Sequence, residues 1–304
     1  MQPWLSPEVL DAVGDRRPVV ALETAVLTHG LPAPQKLEVM ASMTAAVRSQ
    51  GAIPAVAAIL EGKPVLGATM EECQALADHP APMKAGTRDL GWAMATGAWA
   101  GTTVSGTLAL CRLGGVRVFA TGGMGGVHRA WQSHLDVSSD LKELAISGCC
   151  LISAGAKSVL DLAATVEALE SLAIPVLVYG SDFFPQFHSR GTDRLAAPRR
   201  FDQLETAARF CLHHWQDLQR KEGVLIANPI PESEAMDASR LERVVEQAQE
   251  EAQRQGITGP AVTPFLLERL SALSEGESLQ ANLALLKHNA EVAANFAVEL
   301  AALD

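Results

Sequence analysis

"CCLISAGAKSVLDLAATVEALESLAIPVLVYG", Cys149 to Gly180, decides the fold. It opens on an apolar run, tightens at Ser153-Ala154-Gly155-Ala156, continues with helical periodicity and closes on a second apolar run. That order predicts a strand, a helix over 157–171 and another strand, the repeating unit of a parallel sheet. Lys157 stands at the first junction, where an α/β protein keeps its active site.

The same alternation extends outward in both directions. "PVVALETAV" predicts a strand, and "PQKLEVMASMTAAVRSQG" a helix with proline at its start and glycine past its end. "AIPAVAAILEGKPVLGAT" predicts two strands joined by a turn at Glu61-Gly62-Lys63. "GTTVSGTLALCRLGG" predicts a helix feeding the strand "VRVFATGG". After "PVLVYG" come a helix around 202–220, the strand "GVLIAN" and a helical pattern from Asp237 onward. Apolar strands interleaved with helices imply an α/β fold: a single large domain with a mostly parallel central sheet and helices on both faces. Residues 1–17 read as an N-terminal extension with a helix, and 180–200 as an irregular active-site loop.

Composition narrows the function. The 304 residues are 48% hydrophobic and carry a formal charge of −11, enough apolar material for a large core. An acidic surface excludes nucleic acid as the main partner, because phosphate-backbone binding rests on clustered Lys and Arg. The 5 cysteines are odd in number and lack C-x-x-C spacing, so neither a disulfide framework nor a zinc site is expected. No signal-peptide order and no long apolar run appears, which predicts a cytoplasmic protein without membrane contact.

Several residues at predicted strand ends invite chemistry. Burial among small apolar residues favours the neutral amine of a lysine, so Lys157 suits Schiff-base chemistry or phosphate binding. Pattern alone favours a helix-start lysine reaching water. Glu23, an acid inside an apolar strand, is either a catalytic acid or a structural strand-end acid. Gly122, Gly123, Gly125 and Gly126 follow a strand and form either an anion-approaching loop or a tight turn; the spacing is neither G-x-G-x-x-G nor a P-loop. Asp136, Ser138, Ser139 and Asp140 open a helix, beyond what N-capping explains, and offer oxygen ligands for Mg²⁺ or Mn²⁺. Lys84 reads alone as surface charge, and Asn228 and Asn282 as caps or ligands.

Taken in order, "VALETAVLTHGLPAP", "MKAGTRDL", "GTTVSGTLAL", "VFATGGMGGVHR", "DVSSDLKEL", "SAGAKSVLDL", "ANPIPE", "TPFLL" and "SLQANLALLKHNA" resemble the pseudouridine-5′-phosphate glycosidase family, also called indigoidine synthase A-like. The resemblance spans about residues 18–300. It implies a metal-dependent enzyme, usually with Mn²⁺, that reversibly splits pseudouridine 5′-phosphate into uracil and ribose 5-phosphate, and a homotrimeric assembly. It places the covalent nucleophile on Lys157, the acid on Glu23 and the metal on Asp136. Substrate contacts fall on Lys84, Val104, Ser138, Ser139 and Asp140, with further positions at His128 and Asn282. Thr121 joins Lys84 and the glycine loop as a candidate phosphate contact. The chain departs from the family pattern at Thr24-Ala25 and Gly86-Thr87. Two other readings compete: a Schiff-base aldolase or lyase on another sugar phosphate, and a non-catalytic nucleotide-binding protein.

Overall fold

A computed structural model describes residues 4–31, 33–129, 131–257 and 262–304, so residues 1–3 of the expected N-terminal extension lie outside the described residues. The strands are β1 (Val19–Leu22), β2 (Ile53–Leu60), β3 (Lys63–Leu66), β4 (Met83–Ala85), β5 (Ala100–Thr102), β6 (Val118–Ala120), β7 (Cys150–Ser153), β8 (Val176–Tyr179), β9 (Arg200–Phe201) and β10 (Val224–Ala227). Helices α1 (Pro7–Gly14), α2 (Ala33–Ser49), α3 (Met70–Asp78), α4 (Thr87–Ala95), α5 (Val104–Gly114) and α6 (Trp131–His134) belong to the first half. They are followed by α7 (Ser139–Ser147), α8 (Leu162–Ser171), α9 (Leu204–Leu212), α10 (Ala238–Arg254), α11 (Val262–Leu273) and α12 (Glu277–Leu303).

One sheet joins the strands in the order β4-β5-β2-β1-β6-β7-β10-β8-β9, with β3 beside β2. From β2 to β9 every neighbouring pair is parallel. β2 also pairs antiparallel with β3 and β5, so the β4–β5 edge runs against the rest. The β2–β3 hairpin turns on Glu61 (φ 50°) and Gly62 (φ 72°), the left-handed pair that a two-residue turn requires.

Alternate residues of each central strand serve two different cores. Val20, Leu22, Val118, Ile152 and Ile226 pack with α2, α9 and α12. Val19, Ala21, Phe119, Leu151 and Leu225 pack with α1, α5, α7 and α8. Burial on both faces is why these strands are continuously apolar rather than alternating. The five cysteines are buried and free, and burial pushes the Cys73 thiol up to about 12.

Three expectations need correction. Strand β1 stops at Leu22, one residue before Glu23, and the chain turns through a π-helical segment at Val26–Gly30. Thr24 explains the stop: its hydroxyl donates to Ala57 O (2.6 Å) and accepts from Thr102 N (3.2 Å), so a side chain replaces the ladder. Helix α8 begins at Leu162, not at Lys157, because Asp161 caps it by accepting from Ala164 N (3.0 Å). Gly101 and Thr102, expected as the start of a helix, belong to β5, and the helix begins at Val104.

Candidate active site

The carboxyl ends of β1, β4, β5, β6 and β7 meet at one narrow cavity of about 90 Å³. Its polar wall includes Glu23, His29, Lys84, Asp140, Lys157 and Asn282; Val26, Val104, Phe187, Leu267 and Leu286 form apolar surface. Larger open clefts exist, one of about 990 Å³ beside α7 and α8. They do not gather an acid and two lysines.

Lys157 is half-buried in the connection from β7 to α8. Its backbone is fixed: Lys157 N–H donates to Met124 O (3.1 Å), and Lys157 O accepts from Leu160 N (3.0 Å). The next residue ties this connection to the 181–199 loop through Ser158 Oγ and His188 Nδ1 (3.1 Å). Burial holds His188 down to about 3, so it is neutral there. The same loop contributes Phe187 to the cavity.

Glu23 is 8% exposed and accepts a short hydrogen bond from the Thr121 hydroxyl. Burial pushes its carboxyl above the usual range, with Asp140 adding to the rise; Lys157, Thr121 and Lys84 pull the other way. A carboxyl that holds its proton more tightly than usual, on the same cavity as an amine, suits a general acid. Lys84, on edge strand β4, stands at the cavity mouth. Desolvation among the cavity atoms and the Lys157 charge hold its ammonium below the usual lysine range, against Glu23 and Asp140.

Asp140 is a brace as well as a wall. Its two oxygens accept from Ser105 N (2.9 Å) and Gly125 N (2.8 Å), locking the start of α5 to the glycine loop. Ser138 and Ser139 do not line this cavity. Ser138 caps α7 by accepting from Asp140 N (3.2 Å), and Ser139 Oγ meets Ser105 Oγ at 3.0 Å. Both border the larger cleft instead. His128 Nδ1 lies 3.8 Å from Asp136, and its imidazole is held low by burial and by Lys157, against Asp136.

Asp136 is half-exposed, and among the described residues no three His, Cys, Asp or Glu side chains converge as a metal cage. A single accessible carboxylate fits a hard divalent cation that keeps most of its waters. The departures from the family pattern have structural roles. Thr24 ties β1 to β2, and the Thr87 hydroxyl bonds Ser105 O (2.9 Å) and Glu143 Oε2 (3.1 Å).

Sequence reasoning missed Asn289 and Phe187. Asn289, wholly buried on α12, donates to Thr121 O (2.8 Å) and Gly122 O (3.2 Å). Asn228, open between cap and ligand on sequence, donates to Asn289 Oδ1 (2.9 Å) and so supports the loop from behind. A polar residue amid the apolar positions of α12 was the available signal.

A buried acid and two lysines at the carboxyl edge of a mostly parallel sheet define a lysine-centred α/β protein. The chain belongs to the indigoidine synthase A-like family, whose model matches residues 8–299. It is 45% identical over 296 residues to a pseudouridine-5′-phosphate glycosidase of Caldanaerobacter subterraneus subsp. tengcongensis, covering 97% of this chain and 96% of that one. A Paracoccus denitrificans protein of the same name is 45% identical over 302 residues, covering 98% of each. The fold matches the crystal structure of the prealnumycin C-glycosynthase AlnA in complex with ribulose 5-phosphate, with TM-score 0.91, 37% identity and 98% and 97% coverage. It also matches an indigoidine synthase A-like protein from Thermotoga maritima MSB8, with TM-score 0.85, 37% identity and 93% coverage of each.

Proposed function

We propose that this chain is a pseudouridine-5′-phosphate glycosidase, releasing uracil and ribose 5-phosphate through a Schiff base on Lys157. The observation that carries the reading is the shared cavity of Glu23 and Lys157, with Lys84 at its mouth. Relatives of that name, similar along almost the whole chain, support it. So does a structural relative named for C-glycoside synthesis and crystallised with a pentulose phosphate.

The chemistry explains the residues. A C-glycoside has no heteroatom leaving group at the base, so direct displacement expels a carbanion. Glu23 gives its proton to the ribose ring oxygen while the Lys157 amine bonds to C1′, which opens the ring. The Lys157 nitrogen, positively charged once it bonds to C1′, then gives up a proton, and uracil C5 takes one. The amine lone pair forms C1′=N⁺, and the C1′–C5 bonding pair stays with the base, which leaves as uracil. Water adds to the imine carbon and frees Lys157 and open-chain ribose 5-phosphate. An amine is required because it both adds to carbon and accepts the positive charge of the sink.

Mn²⁺ belongs to this proposal, with Asp136 as its protein ligand; when bound it supplies a fixed positive charge and ordered waters near the substrate. Homotrimer formation and a cytoplasmic location belong to it as well. Among the described residues, no helix is long and apolar enough to cross a membrane. Ultraviolet assay of uracil formation from pseudouridine 5′-phosphate tests the function. Turnover is expected to fall at least tenfold in chelator and to return with Mn²⁺. Full activity in chelator removes the metal from the account. Cleavage of a ketose or deoxyribose phosphate, with no uracil from the nucleotide, transfers the site to an aldolase.

A further inference from the structure

We propose that the backbone N–H groups of Gly122 and Gly123 form a two-donor anion hole, and that Asn289 is the residue positioning it. The inference follows from the direction of two peptide planes. Thr121 O accepts from Asn289 Nδ2 at 2.8 Å. Gly122 O accepts from the same nitrogen at 3.2 Å and from Ala154 N at 2.8 Å. Both peptides are trans, since the described residues contain no cis bond. In a trans peptide the N–H points opposite to the C=O. With both carbonyls turned toward Asn289 and Ala154, the N–H groups of Gly122 and Gly123 are turned the other way. Both glycines line the catalytic cavity, and Asn289 does not.

Neither N–H has an acceptor among the described residues, although both glycines are buried. Buried backbone donors are rarely left unpaired, and where they are, a missing partner is the first explanation to test. Two adjacent donors aimed into a cavity suit an oxyanion, because charge-assisted hydrogen bonds are the strong ones. Lys84 on the same cavity adds a cation to match. A side chain clashes at Gly123 and is crowded at Gly122. A Cβ on Gly123 would lie 2.4 Å from the Phe187 ring, and one on Gly122 3.1 Å from Leu285. The brace is itself braced, since Asn228 holds the Asn289 carbonyl at 2.9 Å and thereby fixes which way its NH₂ faces.

The shared chemistry is an anionic oxygen, supplied either by a phosphate group or by an oxygen that gains charge as the ribose ring opens. Only the second source rests on the reaction proposed above, because inorganic phosphate tests the hole without turnover. In ¹H–¹⁵N spectra of the wild-type protein titrated with inorganic phosphate, the Gly122 and Gly123 amide protons are expected to move downfield. Asn289→Asp keeps the shape and the Asn228 contact but loses the two donated bonds. It is expected to bind phosphate about tenfold more weakly, with KM raised and kcat little changed. A variant with silent wild-type amides but a tenfold fall in kcat at constant KM assigns the hole to the reacting oxygen. Silent amides, together with kcat and KM both within twofold of wild type in a folded variant, overturn the proposal. Where Asn289→Asp fails to fold, Asn228→Ala, which removes the contact that orients the Asn289 amide, takes its place and the same outcomes decide.

Discussion

Lys157→Ala is expected to remain folded and to release uracil slower by on the order of 10⁴-fold or more, as removal of a covalent nucleophile generally does. The fold tolerates the change because this connection is held by main-chain bonds to Met124 and Leu160, not by the lysine side chain. Borohydride added with ribose 5-phosphate is expected to leave a stable mass adduct on Lys157 in the wild type and none in the variant. An adduct on Lys84 would reassign the nucleophile to the second lysine of the cavity. Near-normal uracil release by the variant would end the covalent scheme, whatever the adduct.

Glu23→Gln is the second large effect, a loss of about 10²–10⁴-fold in kcat, the usual contribution of a positioned acid. Two pH signatures accompany it. Because burial raises the Glu23 carboxyl, the wild-type rate falls as pH climbs through that raised value, and the variant lacks this limb. Stability moves with the same sign. The folded state holds the Glu23 proton more tightly than the unfolded chain, so wild-type stability declines as pH rises from about 4.5, the ordinary carboxyl value, through the raised one. The glutamine variant does not ionise, so its stability relative to wild type grows across that window. Urea unfolding at a series of pH values measures the difference. A variant whose stability relative to wild type falls as pH rises would mean that the lysines, not burial, govern this carboxyl.

How much of this was open to sequence reading depends on whether the signal was local. The central strands were legible because burial on both faces leaves uninterrupted apolar runs, as in Cys150–Ser153 and Val224–Ala227. The β2–β3 hairpin was legible because Glu61-Gly62 between two such runs is turn chemistry. Strand β5 was not, since three residues running straight into α5 carry too little pattern to separate from the helix. The start of α8 was misplaced because Ser158-Val159-Leu160 keeps helical periodicity, although Asp161 is a capping residue. Lys157 and Glu23 stand out in the sequence because each sits beside a strand end, a polar residue among apolar ones, and the fold brings both to one cavity. Asn289 was passed over because its partner Thr121 lies 168 positions earlier in the chain.

That separation has a consequence for how the protein comes to life. Glu23 emerges long before Asn289, which belongs to α12, the helix that packs along α2, β1, β6 and β7. A nascent chain still on the ribosome can assemble much of the sheet, yet its glycine loop lacks the amide that turns it. Competence therefore waits for α12, and polypeptides that stop short of that helix present no working pocket to cellular sugar phosphates.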